Sequence, residues 1–196
     1  MNYLAHAYLS FQIPEILVGN MISDFVKGKS RLGYTVGVQQ GITLHRLIDD
    51  FTDSHLATLQ AKTIFQPHYR LYSGAFVDVV YDHFLANDSE LFTETSLHHF
   101  ASDVYQTLEQ YHVQLPPKFL LMLPYMKAQN WLYNYRTREG IGRSMQGLVR
   151  RSAYLSDHQT AFDLLNEHYD FLKSCYQVFI KDVKTYAEGQ LHQGNR

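Results

Sequence analysis

A histidine and an aspartate lie where the sequence pattern calls for apolar side chains. In GITLHRLIDDFTDSH (41–55), a helix that advances about 100° per residue places His45 and Asp49 on one line, beside Ile48, while Asp50 points away. Burying an ionisable pair is costly unless the groups are hydrogen-bonded, paired or bound to a cation. The spacing therefore predicts either a buried pair or half of a metal site.

A second segment, LYSGAFVDVVYDHFLA (71–86), sets acids into an otherwise apolar helix. It is apolar almost all round, which is typical of a helix in the middle of a bundle. Asp78 and Asp82 lie four residues apart in it, and His83 follows directly. Two carboxylates on one face of a buried helix repel each other and raise at least one pKa unless a positive group lies between them. A bound cation would resolve that conflict.

Three more candidates lie near the start of the chain. Asp24 stands in GNMISDFVKG with Asn20 one turn before it, and His6 stands in the amphipathic opening segment NYLAHAYLS. Each inward group also has a structural interpretation, since paired ionisable residues are common in helical proteins. The structural partners considered are His45 for Asp49, a tyrosine for Asp78 and Lys27 for Asp24.

Taken together, several helices that each offer an inward acid or imidazole favour a metal site built from facing helices. Carboxylates and imidazoles without thiolate suit Mn²⁺, Mg²⁺ or Fe²⁺, with Zn²⁺ also possible. Such a site suits phosphoester hydrolysis better than oxygen activation. The di-iron pattern Glu-x-x-His is not met, because Glu167 and His168 are adjacent.

The elements that must position these groups read as helices. Helical patterns cover about 15–26, 38–62, 71–86, 96–111, 117–134, 141–151, 159–173 and 175–189. No repeat or linker interrupts them, so the sequence predicts one all-α, single-domain helical bundle over 1–188, with a frayed C-terminal tail over 189–196.

Composition limits the classes of function. The single cysteine, Cys175, excludes an intramolecular disulfide, fits the core better than a nucleophile, and suits the cytoplasm. The opening residues do not resemble a secretory signal, and no apolar run reaches the roughly 18 residues of a membrane span. A net charge of −2 argues against general nucleic-acid binding.

Basic residues are nevertheless clustered. They suit either a solvated face or an anionic partner. The clusters comprise Lys27, Lys29 and Arg31 in KGKSR, and Arg136, Arg138, Arg143, Arg150 and Arg151 in YRTREGIGRSMQGLVRRS.

The chain resembles the acyl-carrier-protein phosphodiesterases over nearly its whole length, from Met1 to about Phe179. The matching stretches, in the family's order, are MNYLAHAYLS, GNMISDFVKG, GITLHRLIDDFTDSH, DVVYDHFLA, MLPYMKAQNWLYNYRTREGIGRSMQGLVRR and LLNEHYDFLKSCYQVF. The resemblance implies an all-helical, HD-domain-like phosphohydrolase that relies on Mn²⁺ or a similar ion. It also implies an acidic protein substrate, holo acyl carrier protein, from which water removes the 4′-phosphopantetheine arm.

Here the residue order is Asp82-His83 rather than the His-Asp of ordinary HD enzymes. The hypothesis places Asp24, His45, Asp49 and Asp82 around the metal. Asp78 is a fifth ligand or the base that orients water, and His83 protonates the leaving serine or binds phosphate. Asn20 and His6 orient the ligands. The arginine-rich cluster or Lys27 and its neighbours bind the acidic carrier or its phosphate.

Two rival functions stay open from the sequence. One is a phosphohydrolase of the same architecture that acts on a nucleotide or another small phosphodiester. The other is a carrier-protein binder without catalysis, in which the inward acids form a structural network.

Overall fold

A computed structural model describes residues 1–193, and helices make up most of them. The α-helices are α1 (Tyr3–Tyr8), α2 (Pro14–Ile22), α3 (Val36–Ser54), α4 (Leu56–Tyr69), α5 (Ser73–Ala86), α6 (Glu94–Gln110), α7 (Pro117–Ala128), α8 (Trp131–Asn134), α9 (Arg138–Arg151), α10 (Gln159–Glu167) and α11 (Tyr169–Gln193). Short 3₁₀ turns, Ser23–Phe25 and Gly28–Gly33 among them, fill several of the connections. Within residues 1–193 there is no β-strand, so the all-α prediction is confirmed.

Helix α5 lies at the centre of the bundle. It packs against α1, α4, α9 and α11, and its side chains from Phe76 to Ala86 are buried on nearly every side, with Asp78 partly exposed. The apolar sequence of this segment explains that position, because a helix without a polar face gains most when it is covered all round. Any ionisable group on α5 therefore faces another element of the protein.

Helices α2 and α3 approach each other at two glycines. A methyl group on Gly19 would lie 2.1 Å from the carbonyl oxygen of Val38, and one on Gly41 would lie 2.3 Å from that of Ile16. Only residues without a Cβ allow the two backbones to come this close. The contact fixes the distance between the Asn20 carbonyl on α2 and the His45 ring on α3.

The sequence pattern continues through residues 38–62, but the structure divides that stretch into α3 and α4. His55 adopts an extended conformation (φ −70°, ψ 132°), and its Nδ1 accepts a hydrogen bond from the Ala57 amide at 3.2 Å. This side-chain bond serves as the N-cap of α4, and it offers the backbone an alternative to a continuous helix.

Residues 189–193, placed in a C-terminal tail by the sequence, continue helix α11. The rest of that predicted tail, 194–196, lies outside the described residues.

Cys175 is buried in the core, as predicted. None of the helices over residues 1–193 combines the length and hydropathy that crossing a bilayer requires.

Candidate metal centre

Three side chains from two helices converge in one cluster, hereafter the His–Asp cluster: His6 from α1 and His45 and Asp49 from α3. The Nε2 atom of His6 lies 3.2 Å from Asp49 Oδ1, and Nε2 of His45 lies 3.1 Å from Asp49 Oδ2. One ligand atom from each residue lies within 4.8 Å of the other two. Across residues 1–193 this is the only group of histidine, cysteine and carboxylate side chains that is arranged to hold a metal ion.

The orientation of His45 is set by the backbone of α2. Its Nδ1 lies 2.8 Å from the carbonyl oxygen of Asn20. Since a carbonyl can only accept, Nδ1 carries a proton, and in the neutral ring Nε2 keeps a lone pair directed at the carboxylates. A carbonyl on the far nitrogen is the usual partner of a metal-ligating histidine.

His6 is buried and stacks on His45, with ring centroids 3.9 Å apart. Neither of its ring nitrogens has a hydrogen-bond partner among the described residues, because Nε2 is not aligned for a bond to the Asp49 carboxylate despite its short distance. A buried imidazole without a partner loses free energy unless something occupies that position. The cluster therefore fits a metal ion, for which His6 would supply a ligand.

The charges of the cluster are strongly coupled. Burial disfavours a protonated His45, but the Asp24 and Asp49 carboxylates outweigh burial and raise the pKa of His45 to about 9. Burial, together with the neighbouring His45 charge, lowers the pKa of His6 to about 4. The pKa of Asp49 falls well below its ordinary value because its contact with His45, together with the nearby Met1 amine, outweighs its burial. One imidazolium and one neutral imidazole thus face the carboxylate near neutral pH.

Asp24 and Asp78 stand beside this cluster. Asp24 Oδ1 lies 3.2 Å from Nε2 of His45, and its side chain is 70% exposed. Asp78 Oδ1 lies 3.2 Å from the α-amino group of Met1, which lies equally far from Asp49 Oδ1. The sequence reasoning did not single out Met1, because a main-chain amine leaves no signal in a side-chain pattern.

Asn20 lies behind the cluster, as the sequence predicts for a residue that orients ligands. It is fully buried, and its side-chain amide donates to the carbonyl oxygen of His6 at 2.9 Å and to Ser10 Oγ at 3.1 Å. The backbone carbonyl of Asn20 accepts a hydrogen bond from His45, so Asn20 connects the two histidines of the cluster.

Asp82 lies elsewhere than the sequence hypothesis assumes. Its Oδ2 accepts a hydrogen bond from the Leu4 amide at 2.8 Å, and its Oδ1 accepts one from the Ala5 amide at 3.1 Å. The carboxylate therefore caps the first turn of α1, where backbone amides have no partner within the helix. The structure gives Asp82 this anchoring role and leaves it out of the His–Asp cluster. Burial raises its pKa to about 7, against the effect of the two amides.

Replacing Asp82 with asparagine is expected to lower the free energy of unfolding by about 1–2 kcal/mol, because one buried amide loses its acceptor. Metal content should stay at the wild-type level. Chemical denaturation and metal analysis of the purified variant measure the two effects. A variant of wild-type stability that has lost its metal would instead restore Asp82 as a ligand.

His83 faces a different part of the molecule. Its Nδ1 lies 2.7 Å from the carbonyl oxygen of Tyr135, and its Nε2 lies 3.4 Å from the hydroxyl of Tyr169. The ring does not line the cleft in which the His–Asp cluster lies. The structure therefore does not bring His83 to the proposed chemistry.

The predicted basic residues have three kinds of surroundings. Arg136 binds Glu94 and the Tyr133 hydroxyl, and Arg143 pairs with Glu139. Lys27, Arg138 and Arg150 are exposed. Only Arg151 among the predicted basic residues lines the cleft of the cluster, which has a volume of about 360 Å³ and also contains Tyr3 and Asp78.

Comparison with known proteins places the chain in a family. The family model described as acyl carrier protein phosphodiesterase matches residues 1–183. Similar proteins named acyl carrier protein phosphodiesterase occur in Photorhabdus laumondii (31% identity, 97% of this chain and 96% of that protein) and Enterobacter sp. strain 638 (31%, 97% and 99%). A third occurs in Yersinia pestis (29%, 96% and 98%).

No solved structure matches the chain, so the expected likeness to HD-type hydrolases stays a prediction. The match to the family model extends from the first residue into helix α11, and it includes every residue of the His–Asp cluster. The chain therefore belongs to the acyl carrier protein phosphodiesterase family.

Proposed function

We propose that this protein hydrolyses the phosphodiester between the serine of holo acyl carrier protein and its 4′-phosphopantetheine arm, and that it uses a divalent metal for this reaction. Family membership supports the substrate. The observation that carries the metal is the buried His6 imidazole, which lacks a hydrogen-bond partner although it lies 3.2 Å from Asp49.

His6, His45 and Asp49 would hold the metal, which makes His6 a ligand rather than the orienting residue that the sequence suggests. Mn²⁺ fits this mixture of imidazole and carboxylate, and Mg²⁺ or Fe²⁺ are the alternatives. When bound, such an ion lowers the pKa of water and neutralises charge on a phosphoryl oxygen. Asp24, exposed beside His45, is in direct contact with the cluster.

The residues around the cluster supply positioning and proton transfer. Asn20 holds His45 through its carbonyl and α1 through its amide, so the ligands are fixed before substrate arrives. Asp78 lines the same cleft, and burial raises its pKa, which makes it a better proton acceptor. We assign Asp78 as the base that takes a proton from the attacking water.

The same proposal indicates where the carrier protein binds and in which compartment this protein works. An acidic carrier would meet the exposed Arg138 and Arg150 of α9 and the exposed Lys27, so its association should weaken as salt rises. We also propose a cytoplasmic location, which the single, buried cysteine supports.

The test is incubation of the purified full-length chain with holo acyl carrier protein and Mn²⁺, followed by mass spectrometry of the carrier. The proposal predicts loss of the arm's mass and appearance of free 4′-phosphopantetheine. A generic phosphodiester is the comparison substrate. Hydrolysis of that compound with an intact carrier would indicate a different phosphodiesterase, and no hydrolysis of either would indicate a binding protein.

Metal binding is expected to release about one proton per ion at pH 7, because His45 is protonated in the metal-free state and must lose a proton to become a ligand. The apparent affinity should rise about tenfold per pH unit and level off above the pKa of about 9. Calorimetry in buffers of different ionisation enthalpy measures the proton release. An affinity that does not change between pH 7 and pH 9 would exclude His45 as the residue that titrates.

A further inference from the structure

A second cavity opens directly beside the cleft of the His–Asp cluster. It has a volume of about 190 Å³ and lies between the start of α1, α8 and α9. Asn2, Tyr3 and Arg151 line both this cavity and the cleft, so the two adjoin at these residues. Hereafter the second cavity is called the side channel.

Small side chains on α9 leave the side channel open. Gly140, Ser144 and Gly147 lie at helical spacing on one face of α9, and all three line it. A methyl group on Gly147 would meet nothing nearer than 3.8 Å, where it would approach the Arg151 guanidinium. There is thus free space beside Gly147, and Arg151 stands at its edge.

The charged residues that line the side channel differ in whether they form an ion pair. Arg143 and Glu139 both line it, and they form an ion pair with each other. Arg151 has no carboxylate partner among residues 1–193, and it stands where the side channel meets the cleft of the cluster. An unpaired guanidinium at this junction suits a phosphate, because its planar donors match two phosphate oxygens.

The other residues that line the side channel offer both apolar and polar surface. The rings of Tyr3 and Trp131 lie 6.4 Å apart and offer apolar faces. The side-chain oxygen of Gln129 accepts from Trp131 Nε1, which leaves its NH₂ group as a donor, and Ser144 adds a hydroxyl. A narrow channel of this composition fits a thin, flexible chain that carries both methyl and amide groups.

We propose that the side channel binds the pantetheine part of the substrate's arm, with the phosphate held by Arg151 at the junction and the amide-bearing chain extending toward Trp131. This inference rests on the proposed function, because the arm is the group that is removed. The phosphodiester then lies between the cluster on one side and the side channel on the other. It is held in this position only when the arm attached to it occupies the side channel.

The experiment measures the affinity of the full-length chain for holo and for apo carrier protein, with a chelator present so that the arm stays attached. Wild-type protein is expected to bind the holo form at least tenfold more tightly than the apo form. Gly147→Leu, which fills the side channel, and Arg151→Ala should each lower the affinity for the holo form at least tenfold and keep the affinity for the apo form. Gln146→Leu, on the same helix but outside the side channel, is the matched control and should bind as wild type.

Equal affinity of wild-type protein for the two forms would overturn the inference, and so would a Gly147→Leu variant that still prefers the holo form. Equal weakening of holo and apo binding in both variants would also overturn it, because the carrier surface rather than the arm would then occupy the side channel. Failure of the proposed function looks different. In that case the holo form binds more tightly through its arm, but adding Mn²⁺ does not release the arm.

Discussion

The Asp49→Asn variant is expected to lose its metal and to hydrolyse holo acyl carrier protein about a thousandfold more slowly than wild-type protein. Asp49 contacts both His6 and His45, and asparagine keeps its shape without its charge. The several kcal/mol of transition-state stabilisation that a metal provides correspond to about three powers of ten in rate. Initial rates and metal content of the same preparation measure the effect.

The neighbouring acid provides the control for this variant. Asp50 is an exposed residue of α3 outside the cluster, so Asp50→Asn should keep both its bound metal and its rate of hydrolysis. Circular dichroism of the two variants verifies that the helices are intact. An Asp49→Asn variant that retains both metal and turnover would show that the reaction takes place elsewhere.

The Gly41→Ala variant is expected to lose about 1–3 kcal/mol of stability, because its methyl group would lie 2.3 Å from the Ile16 carbonyl and the two helices would have to separate. That separation also lengthens the bond between the Asn20 carbonyl and His45 Nδ1, now 2.8 Å. Loss of such an orienting bond lowers metal affinity about 10–100-fold. Thermal unfolding and a metal titration measure the two losses.

Gly33→Ala is the matched control, because a methyl group there meets no atom within 4 Å. It should keep wild-type stability and metal affinity. If Gly41→Ala were as stable as the control and bound metal as tightly, the close helix contact would have no part in positioning His45.

The sequence predicts the α3 half of the site well, because a single helix carries it. Residues four apart share a face, so His45 and Asp49 meet, and Asp50 points to solvent as expected. His6 was identified as a candidate, but its direct place in the cluster depends on how α1 packs against α2 and α3. Spacing along the chain carries no information about such packing between distant segments.

For the ionisable residues of α5, helical periodicity does not predict which element each side chain contacts. Because α5 is covered almost all round, every direction on it is inward, and periodicity cannot tell which element a side chain meets. Asp82 meets the amides of α1, and His83 meets Tyr135 and Tyr169. Of these three ionisable residues of α5, Asp78 is the one that lines the cleft of the cluster.

The all-α architecture follows from helical periodicity, whereas the breaks within it come from local contacts. The helical pattern runs through His55, and the break there comes from a side-chain bond to Ala57 that periodicity does not reveal. The side channel is still less visible, since Tyr3, Trp131 and Arg151 lie far apart in the chain. Its assembly requires the tertiary structure.

The most direct test of the proposed metal-dependent reaction is to treat the purified protein with a chelator, add Mn²⁺ in measured steps, and follow release of the arm from holo acyl carrier protein. We expect no release without metal and a return of activity that saturates as the His–Asp cluster fills. His6→Gln should show neither tight binding nor recovery. Full activity in the metal-free wild-type protein, or normal recovery in His6→Gln, would contradict the account.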